Sequence, residues 1–204
     1  MVRALSPMLA AAWLAGCSRA SAPLDLGPSP VGVQVFAQMQ YYDVTAESLA
    51  ELRSELRRHG PKSGGRPWAA VTNWRMRWTY VYDPRGIAGC EITRVKVRLE
   101  TTIDFPRWTP ATAPDSGLLA WWNQLNDGLT EHERGHALIA VEAADQIVKG
   151  VQGMTAGACD ALSLRANAVA QRITSDARKR QQDYDAETRH GLTQIIQAGQ
   201  RRAR

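Results

Sequence analysis

Residues 118–147, LLAWWNQLNDGLTEHERGHALIAVEAADQI, decide the fold. Leu118, Trp122, Leu125, Leu129, His132, His136, Ile139, Ala143 and Ile147 recur every three or four residues, the period of one face of an α-helix. The spacing predicts one long helix with a single inward stripe, ended by Gly150 and Gly153, with Gly128 as a place where it could divide. Two stripe positions are histidines. With their neighbours they form H-E-x-x-H, His132-Glu133-Arg134-Gly135-His136.

Side chains four apart on a helix lie about 40° apart around its axis, so both imidazoles can face one ion. Zinc accepts neutral imidazole in a tetrahedral shell, and His132 and His136 would supply half of it. Glu133, about 100° from His132, is near enough to take a proton from water beside the metal without ligating it. The pattern therefore predicts Zn2+ as cofactor, His132 and His136 as ligands and Glu133 as catalytic base. Two blander arrangements use the same residues. Thr130-x-x-Glu133 could be a capping box at a helix start, and the histidines could be hydrogen-bonded core residues. A buried histidine pair flanking a buried carboxylate is destabilising without a partner, and a metal ion satisfies all three.

The third ligand is less direct. A metzincin has glycine three and histidine six residues after the motif; here those positions are Ile139 and Glu142. Glu142 lies about 240° around the helix from His136 and reads as solvated. His59 ends an earlier helix, where it would cap carbonyls at the negative end of the dipole. The C-terminal block Tyr184-Asp185-Ala186-Glu187-Thr188-Arg189-His190-Gly191 offers His190, Asp185 and Glu187 where apolar periodicity has lapsed.

Upstream of the long helix the periodicity changes to two. Val33, Val35, Ala37, Met39 and Tyr41 alternate with polar residues and predict a half-buried strand. Leu49, Leu52 and Leu56 follow on one helical face, with Thr45 as the expected cap and His59-Gly60-Pro61 as the stop. Ala70 to Tyr82 alternate again, Asp83-Pro84-Arg85-Gly86 reads as a turn, and Val95 to Ile103 form a third strand. Cys90 and Ile92 fall in the opposite parity, which predicts a bulge near Thr93-Arg94. Phe105-Pro106-Arg107-Trp108 ends the sheet. Beyond the long helix, Leu162, Ala166, Val169, Ile173 and Ala177 describe another, whose pattern lapses at Gln181. The expected fold class is α+β: a small antiparallel sheet with one helix between its strands, packed on the long H-E-x-x-H helix and a further C-terminal helix.

The N-terminus reads as an address. Arg3 precedes a short apolar stretch from Ala4 to Ala15, and Leu14-Ala15-Gly16-Cys17 resembles a bacterial lipobox. Residues 1–16 are then a lipoprotein signal peptide, 17–30 a lipidated Cys17 with a flexible Pro/Ser-rich tether, and 31–204 one domain. Ser18 after the cysteine points to the outer membrane, facing the periplasm, if the host is Gram-negative. Export leaves Cys90 and Cys159 as the one possible disulfide. With 204 residues, 25 Lys+Arg against 20 Asp+Glu and 44% apolar content, disorder is excluded. The basic residues accompany no recognition motif, so no nucleic-acid partner is expected.

The chain resembles a family of predicted secreted zinc-dependent proteases catalogued as a bacterial domain of unknown function. The likeness runs through Tyr41-Tyr42-Asp43-Val44, Thr72-x-Trp74, Phe105-Pro106-Arg107-Trp108, His132-Glu133-x-Gly135-His136 and Tyr184-Asp185-x-x-Thr188-x-His190-Gly191. It implies a zincin-like zinc metallopeptidase and favours His190 as the third ligand. Tyr184 is then a candidate hydrogen-bond donor to the tetrahedral oxyanion, with core packing as its other role. The expected substrate is a peptide or protein, cell-wall peptides included, and the membrane is met through the lipid. The rival expectation is a non-catalytic envelope lipoprotein whose metal or histidine site is structural; three protein ligands favour an enzyme and four a structural site.

Overall fold

The computed structural model describes residues 20–86 and 89–202. Residues 1–16, the expected signal peptide, and Cys17 lie outside the described residues. Strand β1 (Ser21–Pro23) pairs with the alternating strand β2 (Val33–Val44). Helix α1 (Leu49–His59) follows, capped by Ser48, whose Oγ accepts from the Glu51 N–H at 3.3 Å. Thr45, the expected cap, instead joins the Thr109 hydroxyl at 3.2 Å. A small hairpin of β3 (Lys62–Ser63) and β4 (Arg66–Pro67) leads into the long hairpin of β5 (Val71–Gly86) and β6 (Gly89–Trp108). These two strands run past the expected Asp83–Gly86 turn, since Gly86 pairs with Gly89. The bulge falls where parity required it: Val81 pairs with Arg94 and Tyr82 with Ile92, leaving Thr93 as the extra residue.

The sheet order is β1-β2-β6-β5, with β7 (Thr155–Ala156) added beside Cys90 and Glu91 of β6. The fold is α+β, but the sheet is mixed rather than antiparallel. β2 and β6 run parallel in register from Val33↔Val97 to Val44↔Trp108. Alternation reveals which face a side chain takes, and it carries nothing about which strand lies alongside or in which direction. Here β6, the last strand of the hairpin, inserts beside β2, and the long connection that a parallel pair needs runs through α1, the small hairpin and β5.

Helix α2 (Ser116–Val151) crosses the inner face of the sheet, with the Asp115 carboxylate accepting from the Gly117 and Leu118 N–H groups. It is 36 residues long and passes Gly128 unbroken. A Cβ at Gly128 would lie 2.4 Å from Ile195 Cα, so the glycine serves close helix approach and not a break. With its start at Ser116, Glu133 lies deep inside the helix and the capping-box reading at Thr130 falls. Helix α3 (Cys159–Thr188) and helix α4 (Leu192–Arg202) pack on α2.

Two apolar clusters result. Val95, Val97 and Leu99 of β6 meet Ala140, Ala144, Ile147 and Val148 of α2 in one. Leu118, Trp122, Leu125 and Leu129 of α2 join Leu52, Ile103 and Phe105 in the other. Leu99 and Ile147 are 0% exposed, and burying each stabilises the fold by about 2 kcal/mol. His132 and His136 occupy the stretch of α2 where one cluster stops and the next begins. The Cys90–Cys159 disulfide forms, joining the start of β6 to the start of α3. Part of the expected flexible tether is strapped to the sheet: the Tyr41 N–H donates to Ala20 O and the Leu24 N–H to Ala37 O. No helix among the described residues is long and apolar enough to cross a membrane.

Candidate metal centre

His132, Glu133 and His136 are all buried, at 4%, 4% and 8% exposure, in the middle of α2. Opposite them stands the C-terminal third of α3, which continues to Thr188 although its apolar pattern stops at Gln181. The helical period persists there in hydrogen-bonding residues. Gln181, Tyr184, Asp185 and Thr188 fall at i, i+3, i+4 and i+7, and each touches a histidine. Thr188 then ends the helix in a left-handed run, with φ of 51° at Arg189, 52° at His190 and 84° at Gly191.

The histidine protons can be located from these neighbours. Gln181 Nε2 donates to His136 O at 2.9 Å, so its Oε1 faces His136 Nδ1 as an acceptor. The Thr188 hydroxyl donates to Tyr184 O at 2.6 Å, so it can only accept from His132 Nδ1, 3.3 Å away. Both imidazoles therefore carry hydrogen on Nδ1, and in the neutral form each presents a bare Nε2 lone pair. The two Nε2 atoms are 3.1 Å apart, and Asp185 Oδ1 is 3.2 Å from one and 3.1 Å from the other. Burial, followed by the neighbouring His136, pulls the His132 imidazole down to about 4, which leaves it neutral near pH 7.

Three acceptors thus converge on one point, and their mutual approach is unfavourable unless a cation lies between them. The donor atoms of His132, His136 and Asp185 form the group within 4.8 Å of one another that can hold a metal ion. Ligands about 2.0 Å from a tetrahedral zinc stand about 3.3 Å apart, close to the edges of this triangle. The residues present fit such an ion.

Glu133 lies on the strand side of the histidines. Thr72 of β5 donates to its Oε2 at 2.7 Å and lies 3.1 Å from its backbone carbonyl. Burial raises the Glu133 pKa, against the lowering pull of the Thr72 hydrogen bond and His136. Its Oε1 has no hydrogen-bond partner among the described residues.

His190 is not in the triangle. Its Nδ1 is 3.5 Å from Asp185 Oδ1, its side chain is 51% exposed, and its ring rests on Trp68 at 4.7 Å. Tyr184 stacks on His132 at 5.1 Å and meets His136 edge-on at 5.0 Å. Its hydroxyl accepts from Gln194 Nε2 at 3.1 Å, and the residue does not line the cleft. It backs the histidines from outside the cleft, so the packing role is the one the geometry supports. His59 pairs with Glu55 at 3.3 Å, away from the expected carbonyl cap, and Glu142 pairs with Arg180 on the outer surface.

The triangle opens into a cleft of about 690 Å³ between β5 on one side and α2 and α3 on the other. In the sequence Asp185 is a fallback to His190 as oxygen ligand, or a residue that orients an imidazole; the roles of Gln181 and Thr188 are missed there, although their four-residue spacing to Asp185 and Tyr184 is present. A family model described as bacterial protein of unknown function (DUF922) matches residues 39–191, from β2 to the glycine after His190. The comparisons with curated proteins and with solved structures give no match. The chain belongs to the DUF922 family.

Proposed function

We propose that this member of the DUF922 family is a lipid-anchored, exported zinc metallohydrolase that cleaves peptides. The observation that carries the reading is the convergence of two histidine Nε2 atoms, turned inward by Gln181 and Thr188 at the Nδ1 side, and one carboxylate oxygen, beside a buried glutamate. His132, His136 and Asp185 would hold the ion. When bound, zinc polarises a carbonyl and makes water acidic enough to deprotonate near neutral pH. Glu133, steadied by Thr72 at one oxygen, holds the water proton at the other and passes it to the departing amine. Its raised pKa suits that exchange, since a proton acceptor works best with a pKa near the working pH.

A peptide substrate is supported by the cleft wall. β5 is an edge strand, paired with β6 alone, and its residues 71–74 line the cleft. Such an edge offers free N–H and C=O groups to an extended chain. The lipobox and the disulfide together support export.

A second reading, a structural site in a non-catalytic lipoprotein, is favoured by one feature: His190 stands 3.5 Å from Asp185 and could close the shell as a fourth donor. Zinc titration separates the two. Asp185→Ala is expected to weaken affinity by far more than about 100-fold and His190→Ala by about 10–100-fold at most, because the latter touches the site through Asp185. Equal losses would mean four protein donors and a closed shell. Glu133→Gln is expected to keep zinc affinity and abolish hydrolysis of a peptide library; wild-type turnover by that variant would remove Glu133 as the base.

A further inference from the structure

Helix α3 carries three consecutive cations, Arg178, Lys179 and Arg180. Two are neutralised: Lys179 Nζ lies 2.7 Å from Asp183, and Arg180 reaches Glu142 at 2.7 Å. Arg178 has no ion pair among the described residues. It lines the cleft with its guanidinium carbon 5.8 Å from the centroid of the half-buried Trp74 ring. A guanidinium held against an aromatic face keeps its in-plane N–H groups free, and that planar fork matches a carboxylate. The two carboxylates that line the cleft, Glu133 and Asp185, are both engaged at the histidine centre. The charge left over at this end is positive.

Distance fixes where that charge would be met. Arg178 precedes Asp185 by seven residues, two helical turns or about 10 Å along the axis. On the facing wall Trp74 is two residues beyond Thr72, about 7 Å along the strand. An extended peptide advances about 3.3 Å per residue, so the cation stands two to three residues from the reacting bond.

We propose that Arg178, seated over Trp74, is a carboxylate-binding subsite of this cleft, so that the substrates are peptides with a carboxylate two to three residues from the bond cut. This rests on the hydrolase reading above. The carboxylate is either an acidic side chain or a free C-terminus, and Trp74 is the positioning residue that holds the guanidinium toward it.

The test walks Glu, Gln or Lys through alanine-based heptapeptides, each made with a free and an amidated C-terminus. Cleavage is followed by mass spectrometry with the zinc-loaded full chain, and binding of the same peptides is measured on its Glu133→Gln variant. Glu at one position is expected to exceed Gln by about ten- to a hundredfold in both readouts, the range of a charge-assisted hydrogen bond. Arg178→Gln should erase the preference and Arg178→Glu should turn it toward Lys, with zinc affinity unchanged in both. A Glu preference that survives amidation shows that a side chain is read; indifference to Glu with a loss of the same size on amidation shows that the carboxylate is the C-terminus. Binding that prefers Glu without any cleavage supports the subsite while the hydrolase reading fails. Cleavage and binding indifferent both to Glu and to amidation, a preference untouched by Arg178→Glu, or no peptide binding at all overturns the subsite.

Discussion

At Gly135 a methyl group has no room. A Cβ there would lie 2.2 Å from Tyr184 Oη and 2.5 Å from Cζ. The ring cannot retreat freely, because it is stacked on His132 and its hydroxyl is held by Gln194. Gly135→Ala is expected to destabilise the fold by about 1–3 kcal/mol, the usual cost of overpacking, read as a lower denaturation midpoint. The effect should be coupled to Tyr184: in a Tyr184→Ala background the added cost should shrink, a non-additivity that a double-mutant cycle measures. Strictly additive losses would separate the two residues. The H-E-x-G-H pattern is visible in the chain, but the reason for its glycine is not, since it depends on a ring 49 residues away that only the α2–α3 packing brings close. The same packing explains Asp185. Its charge was readable in the tail, whereas its convergence with two Nε2 atoms depends on α3 staying helical past Gln181.

Among the elements, α2 and α3 are clasped outside the centre by Arg180 and Glu142, 2.7 Å apart and about half exposed. The Arg180 hydrogen bond lowers the Glu142 pKa. A carboxylate with a folded pKa below its unfolded one stabilises the fold above the unfolded value, and that stabilisation is lost as pH falls through the folded value. Glu142→Gln is therefore expected to cost about 0.2–1 kcal/mol near pH 7, the range of an exposed pair. The difference from wild type should vanish in acid and shrink in high salt, as urea midpoints would record. A penalty that persists at low pH would assign the loss to something other than charge. Elements whose periodicity is apolar were readable from the chain: β2, α1, α2 and the bulge at Thr93 all stand where alternation or the three-to-four spacing put them. What alternation lacks is pairing direction, hence the parallel β2–β6 contact. Apolar periodicity also loses sight of a helix whose inward face turns polar, as that of α3 does beside the histidines.

For the molecule as a whole, the Cys90–Cys159 link closes a loop of sequence separation 69 and ties the sheet to the helical layer. In the chain-entropy account such a loop is worth about 4 kcal/mol. Replacing both cysteines with serine should lower the midpoint of thermal unfolding, and adding reductant to the wild type should reproduce that shift while leaving the double variant unmoved. A reductant effect on the variant would point away from the disulfide.

The strap formed by β1 sets a leash. Ser21 is already hydrogen-bonded into the sheet, so from the lipid proposed at Cys17 only four backbone steps, about 14 Å at full extension, reach the folded body. β1 is one margin of the sheet and β5, the wall of the cleft, is the other. With that lipid in place, a domain tied so closely by its β1 margin would turn its β5 margin outward, away from the bilayer. It would work as a fixed post at the membrane surface, taking peptides from the aqueous side and leaving the lipids behind it untouched.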